Sequence, residues 1–132
     1  MSIFGAIGIA GTGVTVYRKW LDAVSDNIAN MNNASPTSGE AFRQRYVIAE
    51  AASDGNGVQV GGIALGDGEG KLVYEPDNPL ADAEGYVRYP DIDLGSQMGQ
   101  LIMAQRGYQA NLATVTRAQE AYMAAINLGR NA

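Results

Sequence analysis

The residues that could do chemistry in this chain are carboxylates. Asp77, Asp82 and Glu84 cluster around Pro79, and Asp91 and Asp93 precede Gly95. Clusters of this kind hold hard cations, and paired carboxylates can share acid–base work. The surrounding sequence completes neither use. A calcium loop beginning at Asp91 needs a bidentate Glu at its twelfth position, where Ile102 stands. Asp91 and Asp93 are better placed to cap a helix. The cluster at 77–84 lies in Pro- and Gly-rich sequence with no pocket to tune its pKa values, so it reads as a solvated loop.

The stretch Gly66-Asp-Gly-Glu-Gly-Lys71 has the look of a phosphate cradle. A true one needs glycine five residues before the Gly-Lys pair and Ser or Thr after it. Here those positions are Leu65 and Leu72, and the internal carboxylates would repel phosphate. It reads as a flexible turn. The chain has no histidine and no cysteine. That removes the commonest general base, thiolate metal sites and disulfides. The expectation is therefore no enzyme: no catalytic residue, no metal site, no cofactor and no small-molecule substrate. A net charge of −5 also argues against nucleic acid, which requires a basic surface.

Something must organise these inert loops, and two flanking periodic segments do so. Leu94, Met98, Leu101, Tyr108, Leu112, Val115, Tyr122 and Ile126 follow a four–three rhythm, with Gln105 and Gln119 in its gaps. Ile7, Val14, Leu21 and Ile28 are spaced by seven, and Ile3, Ala10, Tyr17, Val24 and Met31 interleave with them. Both patterns are coiled-coil seams. The two glutamines either specify register or are half-exposed. Ser2 stands at an N-cap position, and Asn30–Asn33 followed by Pro36 end the first helix. Gly5, Gly8, Gly11 and Gly13 each cost about 0.8–1 kcal/mol relative to alanine in a helix. They either let the first turns fray until packed or permit close helix approach.

Between the helices, Phe42–Ala49, Gly57–Leu65, Lys71–Tyr74 and Gly85–Tyr89 read as short strands. Pro76 and Pro79 make Glu75–Pro79 a rigid turn. Residues 34–93 hold four basic and eleven acidic side chains, so the excess negative charge sits in the middle. The predicted fold is mainly α: an antiparallel coiled-coil pair of N- and C-terminal helices with a small β-hairpin or meander insertion. Residues 1–33 and 94–132 form the helical core, and 34–93 the loop and β excursion. The predicted seam is Ile7, Val14, Leu21, Val24 and Ile28 against Leu94, Met98, Leu101, Tyr108, Leu112, Val115, Tyr122 and Ile126. Ile3–Val16 is apolar but too short to span a bilayer, and no Lys or Arg precedes it. This reads as a protein without a cleavable export signal. Such a plan suits an assembly subunit. A small calcium-binding module and a membrane-surface helical protein are the competing classes.

Leu21-Asp-Ala-Val-Ser-Asp-Asn-Ile-Ala-Asn30 resembles the N-terminal signature of the bacterial flagellar axial family of rod, hook and hook-associated proteins. Its motif residues are Ser25, Asn27, Ile28, Ala29 and Asn30. Lys71–Val87, with Tyr74, Pro76, Pro79, Gly85 and Tyr86, is similar to the middle of the proximal-rod branch. So are Arg106, Tyr108 and Asn111, and the ending Leu128-Gly-Arg130. The likeness spans nearly the whole chain and is weakest at residues 48–70. Asp26 stands where Asn is usual, and Gly107 where Ser or Ala is expected. The loop after Asn30 lacks the wider family's Asn-x-x-Thr-x-Gly form.

The resemblance implies a structural subunit of the flagellar basal-body rod in the periplasm, a drive shaft that surrounds the export channel. Another rod or hook protein is the alternative within the family. The implied partners are copies of itself, other rod proteins of the FlgB, FlgF, FlgG and FliE types, and the flagellar type III export apparatus. It also implies termini that become helical on assembly.

Overall fold

A computed structural model describes residues 2–130. Helix α1 runs Ile3–Asn30 and helix α2 runs Leu94–Arg130, with lengths of 28 and 37 residues. At ~1.5 Å per residue these are about 42 and 55 Å long. Between them lie β1 (Arg45–Ala51), β2 (Val58–Leu65), β3 (Lys71–Tyr74) and β4 (Tyr86–Tyr89). The fold is mainly α, with two long helices packed on each other and a small antiparallel β insertion.

Local chemistry explains where each helix starts and stops. The Gly5 amide donates to Ser2 Oγ at 3.1 Å, which satisfies one of the free donors of the first turn. α1 ends without a left-handed residue: Met31 stays right-handed and donates its N–H to Ile28 O. The last turn is tightened instead. At the other end Pro90 keeps Tyr89 extended, and Asp93 Oδ2 accepts from the Ser96 amide at 2.6 Å. Asp93 therefore serves as a cap. Among the four early glycines, only Gly13 is buried, and the helix passes through the others unbroken.

The helices run antiparallel. Phe4 meets Tyr122 edge-on at 5.1 Å between ring centroids, and Asn27 bonds Gln97 at the opposite end. Since α2 is longer and begins level with the end of α1, its last turns pass beyond the start of α1. Met123, Ile126 and Leu128 project there, 55%, 44% and 74% exposed. No described helix is long and apolar enough to cross a membrane.

The insertion is two separate hairpins where one meander was an open expectation. β1 pairs with β2 from Arg45↔Leu65 to Ala51↔Val58, with an irregularity after Ile48. This first hairpin packs on α1. β3 pairs with β4 from Lys71↔Tyr89 to Tyr74↔Tyr86. The two sheets are joined by loops and share no ladder. Ala41 N donates to Gly68 O, Gly66 N donates to Gln44 O, and Ser35 and Arg88 exchange backbone bonds. Gly70 turns the chain at φ +58°, and a Cβ there would strike the Tyr89 carbonyl oxygen and Ala41. That close passage separates β3 from β2.

The interior is thin. Among the described residues, eight apolar ones are buried: Ala10, Val16, Ala23 and Val24 on α1, Ala104 on α2, Val87 on β4, and Ala41 and Ile92 in the loops beside the second hairpin. Twenty large apolar side chains of the described residues are instead exposed, nine of them on α2. A chain this short of core leaves apolar surface for partners.

Candidate functional site: the helix-pair seam

Small and polar residues alternate with Leu101, Tyr108 and Val115 in the contact between the helices. Gln97, Leu101, Ala104, Tyr108, Asn111, Val115 and Ala118 turn toward α1, in a four–three rhythm, all buried or half-buried. Ala104 is fully buried. Opposite them the large side chains belong to α1. Tyr17 lies against Gly107, where an added Cβ would sit 2.3 Å from the ring. Tyr17 also stacks on Trp20 at 6.0 Å, and Trp20 Nε1 donates to Gln100 Oε1 at 3.3 Å. The relation reverses one turn on: Gly13 of α1 makes room for Asn111, whose Oδ1 would lie 2.5 Å from a Cβ at 13. Asn111 is held in place by donating to Gly107 O at 2.9 Å. Each helix thus supplies a notch and a knob, which sets the two axes close.

This stripe corrects the phase expected from the spacing of large apolar residues. On α1, Val24 is buried and Ile7, Val14, Leu21 and Ile28 are half-buried. On α2, Leu101, Tyr108 and Val115 face the contact. Leu94, Met98, Leu112 and Ile126 lie outward, between 43% and 46% exposed, while Tyr122 meets Phe4 of α1 at the far end of the pair. The physical reason is room: with Tyr17 and Trp20 filling the gap, α2 can approach only through Ala104 and Gly107. Gln105 and Gln119 are also exposed, so neither sits in the contact. The buried glutamine is Gln97.

Gln97 belongs to a polar node at the loop end of the pair. Asn27, fully buried, accepts the Arg45 N–H at 2.8 Å through Oδ1. Its Nδ2 donates to Arg45 O and to Gln97 Oε1, each at 3.0 Å. One side chain of α1 therefore holds the first residue of β1 and the first turns of α2 together. Arg45 also pairs with Asp26. Both side chains of that ion pair are about half exposed, so it adds at most ~1 kcal/mol.

The family-motif residues fall in three places. Asn27 points into the node, Ile28 is half-buried, Ser25 and Ala29 face solvent, and Asn30 bonds back to Asp26 O. Tyr74 and Tyr86 meet edge-on at 5.3 Å on the second hairpin. Gly85 lies beneath them at φ +86°, and a Cβ there would be 2.8 Å from the Tyr74 ring. Pro76 and Pro79 are exposed in the turn between the strands. On α2, Arg106 is exposed while Tyr108 and Asn111 lie in the seam. The residues missed by spacing alone were Gln97, Ala104 and Trp20. Their signal was the run of small residues, Ala104 and Gly107, facing an aromatic pair.

The polar groups of the second hairpin serve its own folding. Asp82 Oδ1 accepts from the Tyr86 and Glu84 amides, and the Tyr86 bond holds its carboxyl below the usual carboxylate range. Tyr89 donates its hydroxyl to the Glu75 carboxylate; desolvation first, then Glu75, raises its pKa above that of an ordinary phenol. The Arg88 guanidinium donates to the carbonyls of Thr37 and Glu69, stitching two loops to β4.

Together these features define a class of protein: a subunit held by its termini, with little core and an apolar outer helix face. Residues 83–128 match the family model described as flagellar basal body rod FlgEFG protein C-terminal. Similarity also extends along nearly the full chain. The flagellar basal-body rod protein FlgC of Escherichia coli O6:H1 is 33% identical over 98% of this chain and all of that protein. The protein of the same name from Salmonella typhimurium is 32% identical with the same coverage. That of Bacillus subtilis is 30% identical, again over 98% of this chain and the whole relative. The chain belongs to the FlgC family of flagellar basal-body rod proteins. That family is one of structural rod components of the basal body, which assemble with other rod components.

Proposed function

We propose that this chain polymerises head to tail, with copies of itself and with rod proteins of the FlgB, FlgF, FlgG and FliE types, into a helical tube crossing the periplasm. In such a tube the terminal helices form the wall around the channel of the flagellar type III export apparatus. The rod transmits torque because each subunit is clamped by its neighbours along both helices. A heterologous contact that does not close generates such a filament. Residues 1–33 and 94–132 act as the assembling unit, and the acidic excursion, 34–93, is carried on it.

The observation that supports this reading is the outward face of α2. Leu94, Met98, Ile102 and Leu112 are each 43–46% exposed, and Met123, Ile126 and Leu128 continue the apolar surface past the start of α1. This surface is unsatisfied within one subunit and is available to the next. The test is complementation of a strain lacking the gene with variants carrying Met98→Glu and Ile102→Glu. The expected result is no rod in isolated basal bodies and no swimming, with the purified chain keeping its circular dichroism. Normal swimming would sink the proposal. Leu101→Glu, on the inner face, is expected to abolish assembly through loss of the pair itself.

A further inference from the structure

We infer that Asn27 is a positioning residue that couples the seating of the β1–β2 hairpin to the pairing of α1 with α2, with Gln97 as its counterpart on α2. The orientation of this node is forced. The Arg45 N–H must meet an acceptor, so Asn27 Oδ1 faces it at 2.8 Å. Nδ2 then has one hydrogen for Arg45 O and one for Gln97 Oε1. Both donors and the oxygen of one buried amide are thereby divided between a strand and a second helix. Flipping Gln97 would set its NH₂ against the Asn27 NH₂, so its orientation is dictated in turn.

Two observations separate this node from ordinary packing. Gln97 is 0% exposed, and its Nε2 has no hydrogen-bond partner among the described residues. A buried amide left half-satisfied is a poor source of net stability; a methionine of similar length would fill the same space. What the amide supplies is a direction. The other close contacts of the seam, Tyr17 on Gly107 and Asn111 on Gly13, join helix to helix by packing, with no hydrogen bond from either side chain to a strand among the described residues. Thr12 accepts from the Val58 amide near the hairpin tip, a link that reaches α1 alone. Asn27 meets all three elements.

The consequence is a mechanical linkage. When α2 leaves, Asn27 loses an acceptor inside a dry contact and turns to find water. Arg45 then loses both of its backbone bonds, and the edge of β1 is freed at its first residue. The hairpin is firmly seated only when the helices are paired, so the shape of the excursion reports the state of the termini. By linkage the reverse also holds.

Hydrogen–deuterium exchange on the full chain tests this. Gln97→Met should speed exchange of the Arg45 amide at least tenfold while leaving helical content unchanged. Gln100→Met, which removes the Trp20 bond but touches no strand, should leave Arg45 within twofold of the parent. Equal protection of Arg45 in Gln97→Met and the parent overturns the inference, as does an unprotected Arg45 in a parent whose hairpin is otherwise protected. If Gln97→Met lowers helical content, the reciprocal pair decides. Arg45→Pro removes the N–H without altering either helix, and should speed exchange in the first turns of α2 several-fold. Arg45→Gln, which keeps the N–H, should not. Equal α2 exchange in those two variants also overturns it.

Discussion

The two faces of α2 differ in both size and polarity. The inner face carries Gln97, Ala104, Gly107 and Asn111; the outer face carries Met98, Ile102 and Leu112. In a coiled coil taken alone, the larger apolar set would be expected inside. Here the space is already taken by Tyr17 and Trp20 of α1, and only small or slender residues of α2 can reach them. A chain that must also bind neighbours gains from this division. Its internal contact is close and specific, and its bulkiest surface remains free.

The comparison can be broken or sharpened by substitution. The largest effect is expected from Ala104→Glu, which puts a charge into a fully buried position of the inner face. An unpaired buried charge of this kind costs more than ~4 kcal/mol, and the cooperative thermal transition should disappear. Gly107→Ala comes next. Its Cβ would overlap the Tyr17 ring, and overpacking of this kind costs ~1–3 kcal/mol. The melting temperature should fall, and a compensating Tyr17→Leu should restore part of it. An unchanged melting temperature would mean that the notch is not a tight fit.

Acid should act on neither face but on the second hairpin. The folded-state pKa of Asp82 is lowered, chiefly by the Tyr86 amide. Its contribution is therefore present above the ordinary value of 3.8 and is lost as pH falls through the lower folded value. Amide exchange at Tyr86 should rise in that range while the helical signal holds. A Tyr86 amide indifferent to pH would remove Asp82 from the turn. The smallest effect on the isolated chain is expected from Ile102→Glu on the outer face, within about 0.5 kcal/mol by chemical denaturation. A large loss there would mean that the outer face is folded against something within the chain.

Much of this was legible in the residues. Ser2 and the pair Asp91 and Asp93 announced two helix starts, Pro90 a boundary, and stretches with β-branched and aromatic content four strands; the structure chose Asp93. The long motif from Lys71 to Val87 carried the family resemblance. These features are local: each depends on the dihedral preferences and hydrogen-bonding groups of a few neighbouring residues. The division of the insertion into two hairpins was not legible, because it depends on Gly70 passing closely over Ala41 and Tyr89, far apart in the chain.

The phase of the helical seam was hidden for a related reason. The stripe from Leu94 through Met98, Leu101 and Tyr108 and the stripe from Gln97 through Leu101, Ala104 and Tyr108 share every second position. Periodicity establishes that α2 has a seam and that Leu101, Tyr108 and Val115 border it. It cannot choose between the two companion rows, since both satisfy the same rhythm. The choice follows from the shape of the opposing helix, where Tyr17, Trp20 and Asn27 accept only glycine, alanine or an amide. Hydrophobicity along one chain gives a helix its seam, but steric complementarity between two segments eighty residues apart places it.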